Sequence, residues 1–310
     1  MARHDIIVIG ASAGGIEACC EVLRGLPSDL PASIFIVQHV GGSSELDAVL
    51  ERCGNIKVKA ASDGEPVKRG MVYVAPGDQH LLLNDGKVVV TRGPRENRQR
   101  PSVDVLFRTA ARVYRSRVVA VVLSGSLDDG AAGVFAVKQR GGMVVVQDPR
   151  TALFSSMPEN ALRAAEADYC VPLSEIAPTL IKLVREDKLM PKRKKRTAAE
   201  RKGVLSFGAA PFVCPDCSGP LFPAADGPGD QLQCLVGHSY APESLSEAHR
   251  EALERALLTT MRLLQERAGV HKHLANSKNG RKGDRKERFQ ECAEAAEKDT
   301  ELLREILDRI

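Results

Sequence analysis

The first residue type with chemical potential is Ser12, set in the small-residue run Gly-Ala-Ser-Ala-Gly-Gly (10–15) between an apolar run at 6–9 and a helical pattern at 16–26. Small residues permit a sharp strand-to-helix turn that lifts the Ser12 hydroxyl above a sheet edge, as in the G-x-S-x-G nucleophile elbow. Backbone N–H groups at the helix start are unpaired and sit at the positive end of its dipole, which suits an oxyanion. Two other readings fit the same run. One is a plain glycine-rich turn whose serine caps the helix. The other is a phosphate cradle for a dinucleotide, as in short-chain dehydrogenases. Against the cradle, Gly15 and Ile16 break the Gly-x-x-x-Gly-x-Gly order, and Gln38-His39 stands where an acidic ribose ligand is expected. No tyrosine precedes a lysine by four.

His39 follows a second apolar run at 34–38, and Asp128-Asp129-Gly130 follows a third at 118–123 by way of Ser124-Gly125-Ser126. In an open α/β sheet the carboxyl ends of strands converge on one crevice. A serine, a histidine and an aspartate at three such ends can therefore form a nucleophile, a base and a carboxylate that orients the base. The chain order Ser-His-Asp differs from the Ser-Asp-His order of the common α/β-hydrolases. A histidine that only anchors a loop and an Asp-Asp-Gly that only starts a helix are the plain alternatives.

A second cluster lies near the C-terminus. Cys214-Pro215-Asp216-Cys217 is followed, sixteen residues on, by Cys234 and then by His238. Two close ligand pairs across a Gly/Pro-rich loop suit tetrahedral Zn2+, with all four positions filled and a structural role. A redox C-x-x-C would leave the second pair unexplained.

The elements that must hold these residues follow from patterning. Apolar runs at 6–9, 33–37, 118–123 and 143–146 alternate with helical patterns at 16–26, 46–52, 131–140 and 174–186, which implies a parallel sheet covered on both faces. Val72-Tyr73-Val74 and the 81–90 region differ from these runs: Asn84-Asp85-Gly86 between apolar stretches predicts a hairpin and with it an antiparallel insertion. The expected fold is thus α/β, a doubly wound and mostly parallel sheet with a hairpin insertion, plus a small zinc knuckle and a C-terminal helical hairpin. The basic run beginning Pro191-Lys192-Arg193 separates a domain at 1–186 from a tail at 204–310, with a solvated linker at 187–203. Heptad-like apolar positions in the tail (Leu253, Leu257, Met261, Leu264; then Phe289 to Ile310 after a polar break near Asn279-Gly280) predict two long helices that pack as a hairpin, with pairing into a homodimer as the alternative.

Composition bounds the function. The net charge is +4, and the 186–203 stretch alone carries eight basic and three acidic residues, so the rest is close to neutral. With aromatics at 4% and no Trp, a basic or stacking surface for nucleic acid is disfavoured. No apolar run reaches membrane-spanning length, and the N-terminal run is too short for a signal peptide. Eight cysteines without an export signal suggest a reducing, cytoplasmic setting in which thiols serve metal or packing; Cys19, Cys20, Cys53, Cys170 and Cys292 are expected as packing residues.

Residues 5–186 resemble the chemotaxis protein-glutamate methylesterase family (CheB type). The resemblance rests on segments in the family's order: Gly10-Ala11-Ser12, Gln38-His39, Ala75-Pro76-Gly77-Asp78-Gln79-His80, Arg100-Pro101-Ser102-Val103-Asp104, Ser124 to Gly133, and Ser156-Met157-Pro158. It implies Ser12 as nucleophile, His39 as base and Asp129, rather than Asp128, as carboxylate. Ala13, His80 and Ser126 are then expected around the substrate or oxyanion region, with His80 alternatively a loop anchor. The implied activity is hydrolysis of glutamate methyl esters on chemoreceptor-like proteins, with glutamine deamidation as a companion reaction and no cofactor for the ester chemistry. The alternatives are a catalytically weak scaffold docking a signalling partner through the tail, and a nucleotide binder. Three positions depart from the family: Ala13 replaces a threonine, Gly41-Gly42-Ser43-Ser44 replaces a proline-rich loop, and Gly125-Ser126-Leu127 replaces Gly-Met-Gly. Family members under phosphorylation control carry a receiver domain ahead of the esterase, whereas this sequence opens on the catalytic strand, so control by an attached receiver is not expected. The resemblance extends to receiver-less relatives with a zinc-ribbon-like tail, which implies such a module here.

Overall fold

The computed structural model describes residues 4–39, 45–185, 212–224, 231–276 and 283–310. The basic linker and the Gly41–Ser44 loop lie outside them. Contacts divide the chain into two compact units, Met1–Leu245 and Ser246–Ile310.

In the first unit seven strands, β1 (Ile6–Ala11), β2 (Ser33–Gln38), β3 (Lys57–Ala60), β4 (Met71–Val74), β7 (Val118–Val122), β8 (Met143–Gln147) and β9 (Tyr169–Val171), form one sheet in the order β3-β4-β2-β1-β7-β8-β9. Every neighbouring pair is parallel. The continuous apolar runs follow from two-sided burial. On β1, Ile7 and Ile9 enter one core with helices α1 (Gly15–Gly25), α2 (Leu46–Glu51) and α6 (Leu173–Arg185). Ile6 and Val8 enter the other, with α3 (Val103–Tyr114), α4 (Ala131–Gln139), α5 (Ser156–Ala164) and the antiparallel hairpin β5 (His80–Asn84)–β6 (Lys87–Thr91). The chain leaves β1 toward β2 on one side and returns to β7 on the other, so the direction of winding reverses at β1. A crevice at the carboxyl ends is the geometric result.

The sequence patterns miss β3, α3 and α5, and Val72–Val74 belongs not to the antiparallel insertion but to β4, which pairs in parallel with β2 and β3. The Lys-Val-Lys-Ala alternation of β3 is too short and polar to read as a strand beside its apolar neighbours. One expectation about cysteine fails: Cys20 and Cys53 are joined by a disulfide between α1 and the chain just after α2, rather than serving as separate packing residues. Their Cα atoms lie 5.0 Å apart because α1 and α2 cover the same face of the sheet, and with this pair bonded the cysteines lend no support to a reducing setting. No helix among the described residues is long and apolar enough to cross a membrane.

The Cys/His segment folds as a three-stranded antiparallel sheet, β10 (Leu221–Pro223), β11 (Leu232–Cys234) and β12 (Ser239–Tyr240). It falls within the first unit, unlike the division at the basic linker drawn from composition. The reason is a set of hydrogen bonds described below, which no compositional boundary reveals. The second unit holds helix α7 (Pro242–Asn276) beyond its first turns and helix α8 (Gly283–Leu307). These pack on each other: the His271 and Phe289 rings are 5.7 Å apart, and Lys272 pairs with Glu297.

Candidate active site and cysteine-histidine cluster

Ser12 is the first residue beyond β1. Its N–H donates to Ser124 O at the end of β7 (3.0 Å), and its carbonyl accepts from Gln38 Nε2 (2.6 Å) and from Gly15 N (2.9 Å). The turn is thus fixed to both neighbouring strands. Gly14 supplies the left-handed step (φ 68°) that starts α1. At Gly125 a Cβ would lie 2.9 Å from Ser12 Cβ and 2.1 Å from Met157 Sδ, so glycine is required for the β7 loop to pass the serine.

His39 follows β2 directly, and its N–H donates to Ala11 O (3.1 Å). Because Ala11 pairs with Gln38 in the sheet register, Ser12 and His39 stand side by side at the carboxyl edge. The imidazole Nε2 lies 2.8 Å from Asp129 Oδ2, with both side chains largely buried. That leaves Nδ1 as the ring nitrogen not engaged by Asp129.

The buried Asp129 carboxylate is solvated by protein donors. Oδ2 accepts from Val103 N (2.7 Å) besides His39; Oδ1 accepts from Ser102 Oγ (2.9 Å), Asn97 Nδ2 (3.0 Å) and Asp104 N (3.1 Å). Two of these are first-turn N–H groups of α3, where a helix favours an anion. Burial pushes the Asp129 carboxyl up, but the hydrogen bonds from His39, Asn97 and Val103 and the His39 charge outweigh it and hold the acid below its ordinary range. Its neighbour Asp104 goes the other way: complete burial and then the Asp129 charge raise it well above the usual carboxylate range. Its oxygens accept from Gly133 N (2.6 Å) and Asn97 Nδ2 (2.7 Å). Two adjacent buried acids are thereby driven apart, and the one facing the histidine keeps the charge.

His80 commits both ring nitrogens to the backbone: Nε2 donates to Pro94 O (2.8 Å) and Nδ1 accepts from Ser102 N (3.2 Å). Burial lowers its pKa, in keeping with a neutral ring. It anchors the Ser102 end of the Asp129 cradle. Ser126 is exposed on the loop between Gly125 and Asp129. The carbonyl of Ala13 accepts from Ser124 Oγ (2.8 Å), while its N–H meets no partner among the described residues. Asp128 points away from the histidine and accepts from Glu243 N (3.0 Å), Ser244 N (3.3 Å) and Ser244 Oγ. Asn97 carries no sequence signal for the site, and Ser102 and Asp104 stand in a segment of the resemblance without an assigned role. The serine preceding the apolar positions Val103, Leu106 and Phe107 carries the signal of a helix start and was the available clue.

The chain matches the family model described as CheB methylesterase over residues 7–180. It belongs to that family. A relative from Leptospira interrogans, described as a putative protein-glutamate methylesterase/protein-glutamine glutaminase, is 45% identical over 184 residues, covering 58% of this chain and 95% of the relative. A Thermotoga maritima protein-glutamate methylesterase/protein-glutamine glutaminase is 40% identical over 185 residues, and there the match spans 54% of its length. The crystal structure of the Thermotoga maritima CheB methylesterase catalytic domain superposes with a TM-score of 0.56 at 39% identity, covering 58% of this chain and 98% of that one. The matched part of the CheB fold carries Ser12, His39 and Asp129; the Cys/His segment lies beyond it.

In that segment, one ligand atom each from Cys214, Cys217, Cys234 and His238 fall within 4.8 Å of one another. Cys217 Sγ is 3.6 Å from Cys234 Sγ, and His238 Nδ1 is 3.7 Å from Cys214 Sγ and 3.5 Å from Cys234 Sγ. Ligands on a tetrahedron about 2.3 Å (sulfur) and about 2.0 Å (nitrogen) from zinc are separated by roughly 3.8 Å and 3.5 Å. The donor set and spacing fit such an ion. Cys217 and Cys234 share a proton: the contact with Cys217 and the backbone N–H groups of His238 and Gly237 draw the Cys234 thiol down against burial, while the neighbouring Cys214 and Cys234 push the Cys217 thiol up.

Proposed function

We infer that the chain is a serine esterase that removes methyl groups from glutamate side chains of chemoreceptor-like proteins, working in the cytoplasm. The observation that carries this reading is the position of Ser12, His39 and Asp129 at the ends of three adjacent strands in a CheB fold, with His39 held by an ionised Asp129. Ser12 Oγ attacks the ester carbonyl while His39 Nδ1 takes its proton. The tetrahedral oxyanion is received by the Ala13 N–H at the start of α1, a backbone donor that survives the loss of a threonine side chain there. His39 returns the proton to the departing methanol, and Asp129 stabilises the imidazolium in between. Water then attacks the acyl-serine with His39 as base and frees the glutamate. A glutamine amide would follow the same path with ammonia as leaving group.

A serine-directed fluorophosphonate should label Ser12 stoichiometrically, and a methylated receptor should release methanol. Absence of both would remove the esterase reading and leave the scaffold alternative.

The cysteine-histidine cluster is proposed to hold one structural Zn2+. Metal analysis of the purified full chain should find about one zinc per chain, lost when Cys214 and Cys217 are both replaced by serine. A zinc-free native protein would count against it. Leu253, Leu263, Val270 and Leu302 stay exposed on the C-terminal helices, and a homodimer through them is the arrangement that would cover them. Sedimentation at micromolar concentration showing only monomer would exclude it.

A further inference from the structure

Asn97 is fully buried and sits in a left-handed conformation (φ 48°), which asparagine tolerates better than most residues. Its amide joins two regions. Nδ2 donates to Asp129 and Asp104; Oδ1 accepts from Ala241 N (2.9 Å), and the Asn97 N–H donates to Ser239 O (2.7 Å). Ser239 is the residue immediately after His238 of the cysteine-histidine cluster. Between them Tyr240, almost fully buried, donates its hydroxyl to Asp216 (2.6 Å), which stands inside the Cys214–Cys217 knuckle. A second strap lies on the other side of the carboxylate. Asp128 receives the first-turn N–H groups of α7 from Glu243 and Ser244 together with the Ser244 hydroxyl, and Asn160 Nδ2 bridges Leu127 O (3.0 Å) to Glu243 Oε2 (2.7 Å).

We propose that residues 212–224 and 231–245 are a working part of the esterase site: their ordering around the cysteine-histidine cluster positions Asp129 through Asn97 on one side and Asp128 on the other, so that turnover depends on the metal-bound state of the cluster. Asn97 is the positioning residue, and Ser244 is its counterpart across the Asp128 strap. The proposal rests on the serine-esterase and zinc readings above. Physically, a hydrogen-bonded carboxylate keeps its place only while its donors keep theirs, and the donor Asn97 is itself held from behind by residues 239 and 241. Releasing the cluster frees Tyr240, then the 239–241 backbone, then the Asn97 amide. Small displacements of an orienting group cost turnover more than binding, because they act on the proton transfers rather than on substrate contacts.

The test uses the full-length protein loaded with zinc, the same protein stripped by chelation, and Ser244→Ala with zinc. Each is assayed for kcat and KM on a small ester, for fluorophosphonate labelling, and by proton NMR for the downfield resonance of the His39 Nε2–H that reports its bond to Asp129. Stripping is expected to lower kcat at least tenfold with KM within twofold, and to shift or broaden the His39 resonance. Ser244→Ala, which keeps every metal ligand and every group touching the histidine, is expected to lower kcat about fivefold and to perturb the same resonance. Lys272→Ala in the second unit should behave as wild type. Unchanged kcat and an unchanged His39 resonance in the stripped protein overturn the proposal, as does a rise in kcat. If stripping unfolds the chain, wild-type kcat and resonance in Ser244→Ala overturn it. A zinc-loaded protein that resists fluorophosphonate overturns the esterase reading instead, and the His39 resonance still decides whether the cluster reaches Asp129.

Discussion

Replacing Asp129 by asparagine is expected to lower turnover by about 10⁴-fold, the scale seen when the carboxylate of a Ser-His-Asp triad becomes an amide. The structure gives the reason. Three donors converge on Oδ1, from Ser102, Asn97 and Asp104, so the amide oxygen of the variant must take that side. Its NH2 then faces His39 Nε2 and Val103 N. An NH2 donating to Nε2 forces the ring proton onto Nδ1, the nitrogen that should accept from Ser12, and the base is blocked. The Val103 N–H loses its acceptor, with a stability cost of about 1–3 kcal/mol. Ser12→Ala should reach at least the same loss, about 10⁴- to 10⁶-fold, with thermal unfolding almost unchanged. Methanol release and melting temperature check both variants. Asp128→Asn, whose carboxylate faces α7 and not the histidine, should lose far less, and equal losses at 128 and 129 would show that the carboxylate has been misassigned.

The second large effect is expected from the addition of one methyl group. In Gly125→Ala the new Cβ would sit 2.9 Å from Ser12 Cβ and 2.1 Å from Met157 Sδ. Met157 is buried and has little room to swing away, so part of the displacement must fall on the nucleophile turn. Overpacking of this kind costs about 1–3 kcal/mol of stability. A shift of the serine by about an ångström is worth on the order of 10²-fold in rate. The informative result is a kcat loss much larger than the fall in stability explains, with slower fluorophosphonate labelling. Wild-type labelling in Gly125→Ala would mean that Met157 absorbs the whole displacement.

The parts of this site that could be read from the sequence are those fixed by strand ends. Ser12 and His39 each follow an apolar run, and parallel pairing brings such positions together without further information. The grouping of Cys214, Cys217, Cys234 and His238 was legible because their spacing is local. Asn97, Ser102 and Asp104 were not, because their role comes from where the loop before α3 crosses the sheet edge, a tertiary fact with no period in the sequence. The Cys20–Cys53 bond was hidden for a similar reason: a separation of 33 residues says nothing until α1 and α2 are seen on one face. Composition marked the basic linker as a boundary. The attachment of residues 239–244 to Asn97 and Asp128 depends on backbone groups, which every residue has and no pattern reveals.

The β5–β6 hairpin begins at His80, and His80 holds Ser102, one of the donors to Asp129. A two-stranded ribbon is among the least stable pieces of a fold unless its side chains are buried, and here Leu81, Leu83 and Val88 are fully so. That burial is what secures the acid cradle: any fraying of the ribbon from its His80–Thr91 end would remove the cradle's anchor while the sheet stayed folded. Amide hydrogen exchange in the ribbon would then report enzymatic competence, and heating should cost activity before it costs the protein its fold.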